Sequence, residues 1–212
     1  ALMRPDIFYA VGALSVPFQP RRLKGPPTEV MAYLSRKSGM GDFYINRFQH
    51  PGAHLAFENE VAVALRKLFW AFDGATKTED RATGFLSPDC EMLDMIDDQA
   101  SLPPWLSPDH FQAYVSAFSQ GGFKGPFDWY RNIDRNWATT EAVQDHKVTV
   151  PALFMVGEHD PTRHYTGTQE AEMADWVPDL RSHVVVPGAG HWLQQERPET
   201  VNEALLGFLK SL

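Results

Sequence analysis

A continuous apolar run late in the chain restricts the fold more than any other feature. Residues 150–157 read VPALFMVG, without a polar or charged side chain, and a second apolar run, SHVVVP, covers residues 182–187. Strands that are apolar along their whole length are typical of a parallel sheet with both faces covered. Helices are expected at 168–176 and, from amphipathic spacing, at 198–212. The C-terminal part of the chain therefore predicts an α/β fold.

The same α/β texture occurs at the other end of the chain. Residues 8–16 predict a short buried strand that ends at Pro17, and the basic, Pro- and Gly-rich linker RRLKGPP follows. The residues before this strand read as the tail of a helix and a turn at Pro5-Asp6. We therefore predict two core segments, 1–18 and 148–212, that enclose a helical cap at 19–147.

Capping and stop signals locate the helices of the predicted cap. One helix is expected from an N-cap at Thr28 to a stop at Gly39, and another from an N-cap at Ser107 to Gly121. Two more are expected, after the Pro-Gly step at 51–52 and in FDWYRNIDRNW. The polar, turn-rich segment 73–104 is expected to be mostly loop.

Composition excludes several classes of function. The formal net charge of -8 disfavours a nucleic-acid partner, because phosphate binding requires a basic surface. The apolar stretch around YAVGALSVPF is far shorter than the roughly 20 residues of a membrane-spanning helix. The single cysteine, Cys90, cannot form an internal disulfide and suits a reducing compartment, so a cytoplasmic location is predicted.

Two polar residues follow the two C-terminal strands and could carry chemistry. Asp160 comes after ALFMVGEH, and His191 comes after HVVVPGAG. A carboxylate that accepts a hydrogen bond from an imidazole fixes its tautomer, so that the imidazole can act as a general base. An aspartate after a strand is also commonly a turn residue, and a histidine there is often structural. The joint pattern, with the acid before the histidine, favours the catalytic interpretation.

The other histidines do not form the pattern expected of a metal site. His50, His54 and Glu58 have helical spacing, but the intervening Pro-Gly step interrupts the helix, and neither His159 nor His164 has a partner at a usual ligand spacing. No metal is predicted.

The sequence resembles the C-terminal part of a soluble epoxide hydrolase of the α/β-hydrolase superfamily. The motif GGFKGPFDWYRNIDRNW matches the family's second lid tyrosine at Tyr130, and FYINRFQHPG matches the first at Tyr44. The relay acid falls on Asp160 in VPALFMVGEHD, and the base falls on His191 in GAGHWLQQERPE. The segment RPDIFYAVGALSVPF resembles the chain just after the family's nucleophile helix.

This resemblance implies a mechanism without a cofactor. An aspartate would open a small hydrophobic epoxide and form an ester, while Tyr44 and Tyr130 donate hydrogen bonds to the leaving oxygen. His191 would then activate water, and the product would be a vicinal diol. The substrate cavity is expected to be mostly apolar, with a lining that includes Phe48, Trp129 and Trp192.

The nucleophile of this mechanism does not occur in the 212 residues. No Gly-x-Asp-x-Gly or Gly-x-Ser-x-Gly motif is present, nor the His-Gly-x-Pro motif of the family's oxyanion hole. We therefore expect the nucleophile on an N-terminal half, as a partner segment, and expect this chain alone to be inactive. A haloalkane-dehalogenase-like hydrolase and a non-catalytic, hydrolase-derived binding module stay open as alternative functions, and a homodimer stays open as an assembly.

Overall fold

The computed structural model describes residues 1–77, 84–87 and 89–212. They fall into two units. The α/β unit comprises Ala1–Arg21, Phe72–Lys77 and Ala142–Leu212, and the cap unit comprises Arg22–Ala71 and Thr78–Glu141. The predicted boundaries after residues 18 and 147 stay predictions. This division differs from them mainly at Phe72–Lys77, which belongs to the α/β unit although it lies inside the predicted cap.

The strands and helices follow one another along the described chain in this order: β1 (Val11–Leu14), α1 (Pro27–Ser38), β2 (Asp42–Phe43), α2 (Tyr44–Phe48), α3 (Leu55–Glu58), α4 (Val61–Ala71), β3 (Phe85–Leu86), α5 (Pro108–Gly121), α6 (Lys124–Arg131), α7 (Ile133–Thr139), β4 (Ala152–Gly157), α8 (Arg163–Ala171), α9 (Met173–Trp176), β5 (Leu180–Val186), α10 (Leu193–Glu196) and α11 (Pro198–Lys210). Short 3-10 helices cover Met92–Met95 and Glu141–Val143. None of the described helices is both long and apolar enough to cross a membrane.

The α/β unit contains a parallel sheet with the strand order β1-β4-β5. Strand β4 is central and every one of its residues is buried, as its apolar sequence predicted. The two strands that end near Gly157 and Pro187 are neighbours in this sheet, which confirms their predicted pairing. The predicted α/β fold class is confirmed.

Alternate residues of β4 pack into apolar clusters on the two faces of the sheet. Burying a Val, Leu, Phe or Met side chain contributes about 1.5–3 kcal/mol relative to leaving it exposed, so both faces of this strand contribute to stability. One face carries Ala152, Phe154 and Val156, which cluster with Val148, Val150, Met173 and Val177. The other carries Leu153 and Met155, which cluster with Val186, Ala189, Leu193, Val201 and Phe208.

The outer strands differ from their predictions. Strand β5 alternates between half-buried and exposed residues and reaches full burial only at Val186, because it lies at the edge of the three-stranded sheet. Strand β1 is shorter than predicted, and Phe8, expected inside it, is 50% exposed. The residues before β1 form no helical tail, although the predicted turn is present, with the Ile7 N–H donating to the Arg4 carbonyl at 3.0 Å.

The predicted cap helices exist, with shifted ends. Thr28 is not an N-cap: it lies inside α1, and its side chain donates to the Asp134 carboxylate at 2.5 Å. A carboxylate at the N-terminus of a helix is favoured by the helix dipole, so Asp134 of α7 replaces the expected local cap. Ser107 caps α5 as predicted, and Gly39 ends α1 with a left-handed φ of 69°.

The segment from 73 to 104 contains more structure than its turn-rich sequence suggests. Strand β3 pairs antiparallel with β2 in the cap unit, through Asp42 with Leu86 and Phe43 with Phe85. Each strand has two residues, too few for a sequence period to reveal them. The parts of the loop prediction that fall on residues 78–83 and 88 lie outside the described residues.

Candidate active site

Asp160 and His191 meet beyond the ends of β4 and β5. Parallel strands bring their carboxyl ends to one edge of a sheet, so the two loops are neighbours. The Nδ1 atom of His191 lies 3.0 Å from Oδ2 of Asp160, and the Asp160 side chain is fully buried, whereas that of His191 is 27% exposed. The predicted contact between these two side chains is confirmed.

Thr162 holds the carboxylate of Asp160 in place. Its backbone N–H and its hydroxyl both donate to Oδ1 of Asp160, at 2.9 and 2.8 Å, so that Oδ2 is presented to His191. Burial by itself would raise the pKa of Asp160, but the hydrogen bonds from His191 and Thr162 outweigh it and hold that pKa below its usual value. An ionised Asp160 accepts the Nδ1 proton of His191, which leaves Nε2 as the basic nitrogen.

Ser15 directly follows β1 and connects this strand to the loops that carry Asp160 and His191. Its hydroxyl donates to the His191 carbonyl at 3.0 Å, and its own carbonyl accepts a hydrogen bond from Thr162 at 3.4 Å. Ser15 has a φ of 67°, a left-handed conformation that non-glycine residues rarely adopt. Such strain persists where surrounding contacts enforce it and clusters at functional sites.

Two glycines allow the loops after β4 and β5 to touch through their backbones. A Cβ atom on Gly157 would lie 2.1 Å from the Gly190 carbonyl oxygen, and one on Gly190 would lie 2.3 Å from the Phe72 carbonyl oxygen. The same Phe72 carbonyl accepts a hydrogen bond from the His191 N–H at 2.9 Å. The backbone of the loop that carries His191 is therefore in direct contact with the backbone of segment 72–77.

The two candidate tyrosines lie together in the cap unit. Tyr44 begins α2 and Tyr130 lies near the end of α6, and their ring centroids are 5.6 Å apart in an edge-to-face arrangement. Burial raises the pKa of Tyr130, and a side-chain hydrogen bond with Tyr44 offsets part of that rise.

Side chains from the two tyrosine motifs join α2 to α6. Gln49 donates from Nε2 to the Tyr130 carbonyl at 3.1 Å. Arg131 donates to the carbonyls of Phe48 and His50, both at 3.0 Å. These bonds connect one segment to the other and account for Gln49 of FYINRFQHPG and Arg131 of DWYRN.

Comparison with known proteins identifies relatives of this chain, although no protein-family model matches it. Epoxide hydrolase A of Mycobacterium tuberculosis is 38% identical over 213 aligned residues, which cover all of this chain and 64% of that protein. The structure of an epoxide hydrolase from an endophytic Streptomyces matches with a TM-score of 0.92 at 33% identity, over 99% of this chain and 62% of that one. The chain is homologous to epoxide hydrolases of the α/β-hydrolase fold.

The homology covers the whole chain but only part of each relative. Epoxide hydrolase A from Mycobacterium thermoresistibile gives a TM-score of 0.87 at 34% identity, over 99% of this chain and 64% of that structure. The chain thus spans less than two thirds of the length of the proteins that it matches.

The three predicted substrate-binding residues have different surroundings in this chain. Phe48 is buried in the cap unit, with its ring centroid 4.1 Å from that of Phe127. Trp192 lies in the α/β unit, with its ring 5.2 Å from that of His191. Trp129, in α6 of the cap unit, is 82% exposed. Contact of these three residues with a substrate stays a prediction.

Sequence reasoning missed three polar residues around His191, the candidate base. Ser15 acts through a hydrogen bond between separate segments, which no local pattern reveals. Thr162 binds Asp160 two residues earlier in the chain, so the short turn Asp-Pro-Thr was the available signal. Glu196 stands in the same GAGHWLQQERPE motif as His191, so its proximity in the sequence was the available signal. Within 1–77, 84–87 and 89–212, no three His, Cys, Asp or Glu residues are grouped to hold a metal ion.

The lowered pKa of Asp160 predicts an acid-dependent loss of stability. A carboxyl group with a folded pKa below its unfolded value of about 3.9 stabilises the fold above that pH and loses this contribution as the pH falls through the folded pKa. We expect the free energy of unfolding of the full-length protein to decrease more steeply below about pH 4 than that of Asp160→Asn. Denaturant unfolding at several pH values measures both slopes, with Glu203→Gln as a control at an exposed carboxylate. Equal slopes in wild type and Asp160→Asn would contradict the prediction.

Proposed function

We propose that this chain is the C-terminal part of an epoxide hydrolase that adds water to an epoxide and releases a vicinal diol. The observation that carries the proposal is the hydrogen bond between Asp160 and His191 at the ends of two parallel strands. An oriented, half-buried imidazole is suited to act as a general base. The homology to epoxide hydrolases supports the same reaction.

The first step forms an ester. A nucleophilic aspartate, supplied by an N-terminal segment beyond these 212 residues, attacks one epoxide carbon and breaks its bond to the ring oxygen. Tyr44 and Tyr130 donate hydrogen bonds to that oxygen, and one of them gives it a proton. The raised pKa of Tyr130 supports this role, because it keeps the phenol protonated and able to donate at neutral pH.

The second step hydrolyses the ester. Nε2 of His191 takes a proton from water, and the resulting hydroxide attacks the ester carbonyl, which releases the diol and regenerates the aspartate. Asp160 stabilises the imidazolium that forms. The imidazolium proton then returns to the tyrosine that gave up its own, so that one water is added to one epoxide.

The paired tyrosines favour this reaction over the alternatives. A haloalkane dehalogenase would use the same acid and base, but a departing halide does not require a proton from a phenol. A non-catalytic module would need neither the strained support of the base nor two adjacent phenols. The substrate is proposed to be a small hydrophobic epoxide, supported by the aromatic residues around the tyrosines. A homodimer and a cytoplasmic location stay predictions.

Replacing both tyrosines tests the choice of reaction. In the full-length protein, Tyr44→Phe/Tyr130→Phe should lower kcat for a styrene-oxide-like substrate by at least about 10²–10³-fold, because no donor remains for the leaving oxygen. Each single variant should lose less, since one phenol remains. Chromatography of the diol product gives the rates, and Tyr33→Phe, at a tyrosine that is 56% exposed, is the matched control. Undiminished turnover in the double variant, or halide release from chloroalkanes by wild type, would contradict the epoxide assignment.

A further inference from the structure

Glu196 is a buried acid with an unusual set of partners. It lies at the end of α10 and is only 7% exposed. Its Oε2 atom accepts hydrogen bonds from the N–H groups of Gly74 and Gly190, at 3.0 and 2.8 Å, and its Oε1 atom accepts one from the N–H of Trp192, at 3.0 Å. One carboxylate therefore holds three backbone donors from two separate segments.

These partners surround the candidate base. Gly190 and Trp192 are the residues immediately before and after His191, and Glu196 binds the N–H of both. The N–H of His191 itself donates to the Phe72 carbonyl at 2.9 Å. Three consecutive backbone donors are thus fixed, and Glu196 also binds Gly74 in the segment that receives the His191 bond.

Burial of an acid at this position is costly unless the charge is compensated. Burial and, to a lesser extent, the nearby Asp73 hold the pKa of Glu196 above its usual value, although the backbone N–H groups of Gly190 and Gly74 act in the opposite direction. Both carboxyl oxygens face N–H donors, an arrangement that favours the ionised form, since a protonated carboxyl would need an acceptor for its own O–H. Hydrogen bonds to a charged acceptor are stronger and more directional than those between neutral groups.

We infer that Glu196 is a positioning residue for His191, holding the backbone on both sides of the imidazole so that Nδ1 stays on Asp160 and Nε2 can activate water. This inference rests on the proposed function. Because His191 acts only when the ester is hydrolysed, Glu196 should influence that step and leave ester formation unchanged.

Glu196→Gln in the full-length protein tests the inference. The amide keeps the size of the side chain but turns an NH₂ group toward at least one backbone N–H, so the loop around His191 must shift. Small displacements of catalytic groups can lower rates about 10²-fold, and we expect kcat to fall by about that factor. The rate of ester formation, followed by rapid mixing and mass spectrometry of the quenched enzyme, should match wild type, so that the ester accumulates.

Two further variants complete the experiment. Glu203→Gln, at an exposed position of α11, is the control and should leave both steps unchanged. Glu196→Asp keeps the charge on a shorter side chain and should show the same selective loss, with a smaller factor. If Glu196→Gln does not fold, the rates of the two steps in Glu196→Asp test the inference instead.

The outcomes separate this inference from the proposed function. Absence of diol formation by wild type would remove the proposed function and the inference with it. Normal ester hydrolysis in Glu196→Gln, beside an active wild type, would overturn the inference alone. Equal slowing of both steps, or failure of both Glu196 variants to fold, would assign Glu196 a general structural role and would also overturn it.

Discussion

Replacing His191 by Gln in the full-length protein should lower kcat for epoxide hydrolysis by up to about 10⁴-fold, the upper range for a general base. Glutamine has no nitrogen that can take a proton from water, so the ester between enzyme and substrate should persist. Asp160→Asn should act in the same direction, because an amide no longer stabilises the imidazolium and can favour the wrong tautomer. Diol formation measures turnover, and mass spectrometry of the intact protein detects the trapped ester.

The control for this prediction is another histidine of the same unit. His146 is exposed in the α/β unit, and His146→Gln should turn over substrate at the wild-type rate. Wild-type activity in His191→Gln would show that a different group activates water. Loss of activity without any trapped ester would contradict the assignment of His191 to the second step and would place it at the opening of the epoxide.

Expression of residues 1–212 alone should yield no epoxide turnover and no monomer that unfolds cooperatively. Strand β1 pairs with β4 on one edge, and among the described residues no strand pairs with its other edge. Large apolar side chains near it are exposed, with Met3 at 61%, Phe8 at 50% and Tyr9 at 85%. Unpaired strand edges and exposed apolar patches promote association, so another segment is needed to cover them.

Adding the proposed N-terminal half tests whether that segment restores stability and activity. Co-expression of that half as a second chain should give a stable complex with cooperative thermal unfolding and diol formation. Gel filtration and calorimetry of residues 1–212 with and without the second chain provide the comparison. A cooperatively folding monomer of 1–212 would contradict the stability prediction. Diol formation by 1–212 that disappears on His191→Gln would contradict its inactivity and would indicate a nucleophile within these residues.

The central strand and the relay pair are the features that the sequence predicted best. Strand β4 is apolar at every position and has no other stable place than between two covered faces. Once it and the next strand are assigned to one parallel sheet, Asp160 and His191 must come to the same edge. Local pattern and sheet geometry suffice for both conclusions.

Other features depended on which segments meet in the folded chain. The valines of β5 could not reveal that it lies at an edge, because exposure depends on neighbours that are absent from its own sequence. Thr28 satisfied a local capping rule, yet Asp134 of another helix supplies the carboxylate at that helix end. The exposed Trp129 shows equally that an aromatic residue on a helix need not face the core.

The support of the candidate base combines local contacts with contacts that only the tertiary structure provides. Thr162 binds Asp160, and Glu196 binds Gly190 and Trp192, within their own loops. The bonds from Ser15 to His191, from Thr162 to Ser15 and from Gly74 to Glu196 join segments that are distant in the sequence. The sequence by itself determined the fold class, the central strand and the residues that could form a relay. The tertiary structure decided how that relay is held, because a hydrogen bond depends on distance and direction in space, whereas a sequence pattern records only the order of residues along the chain.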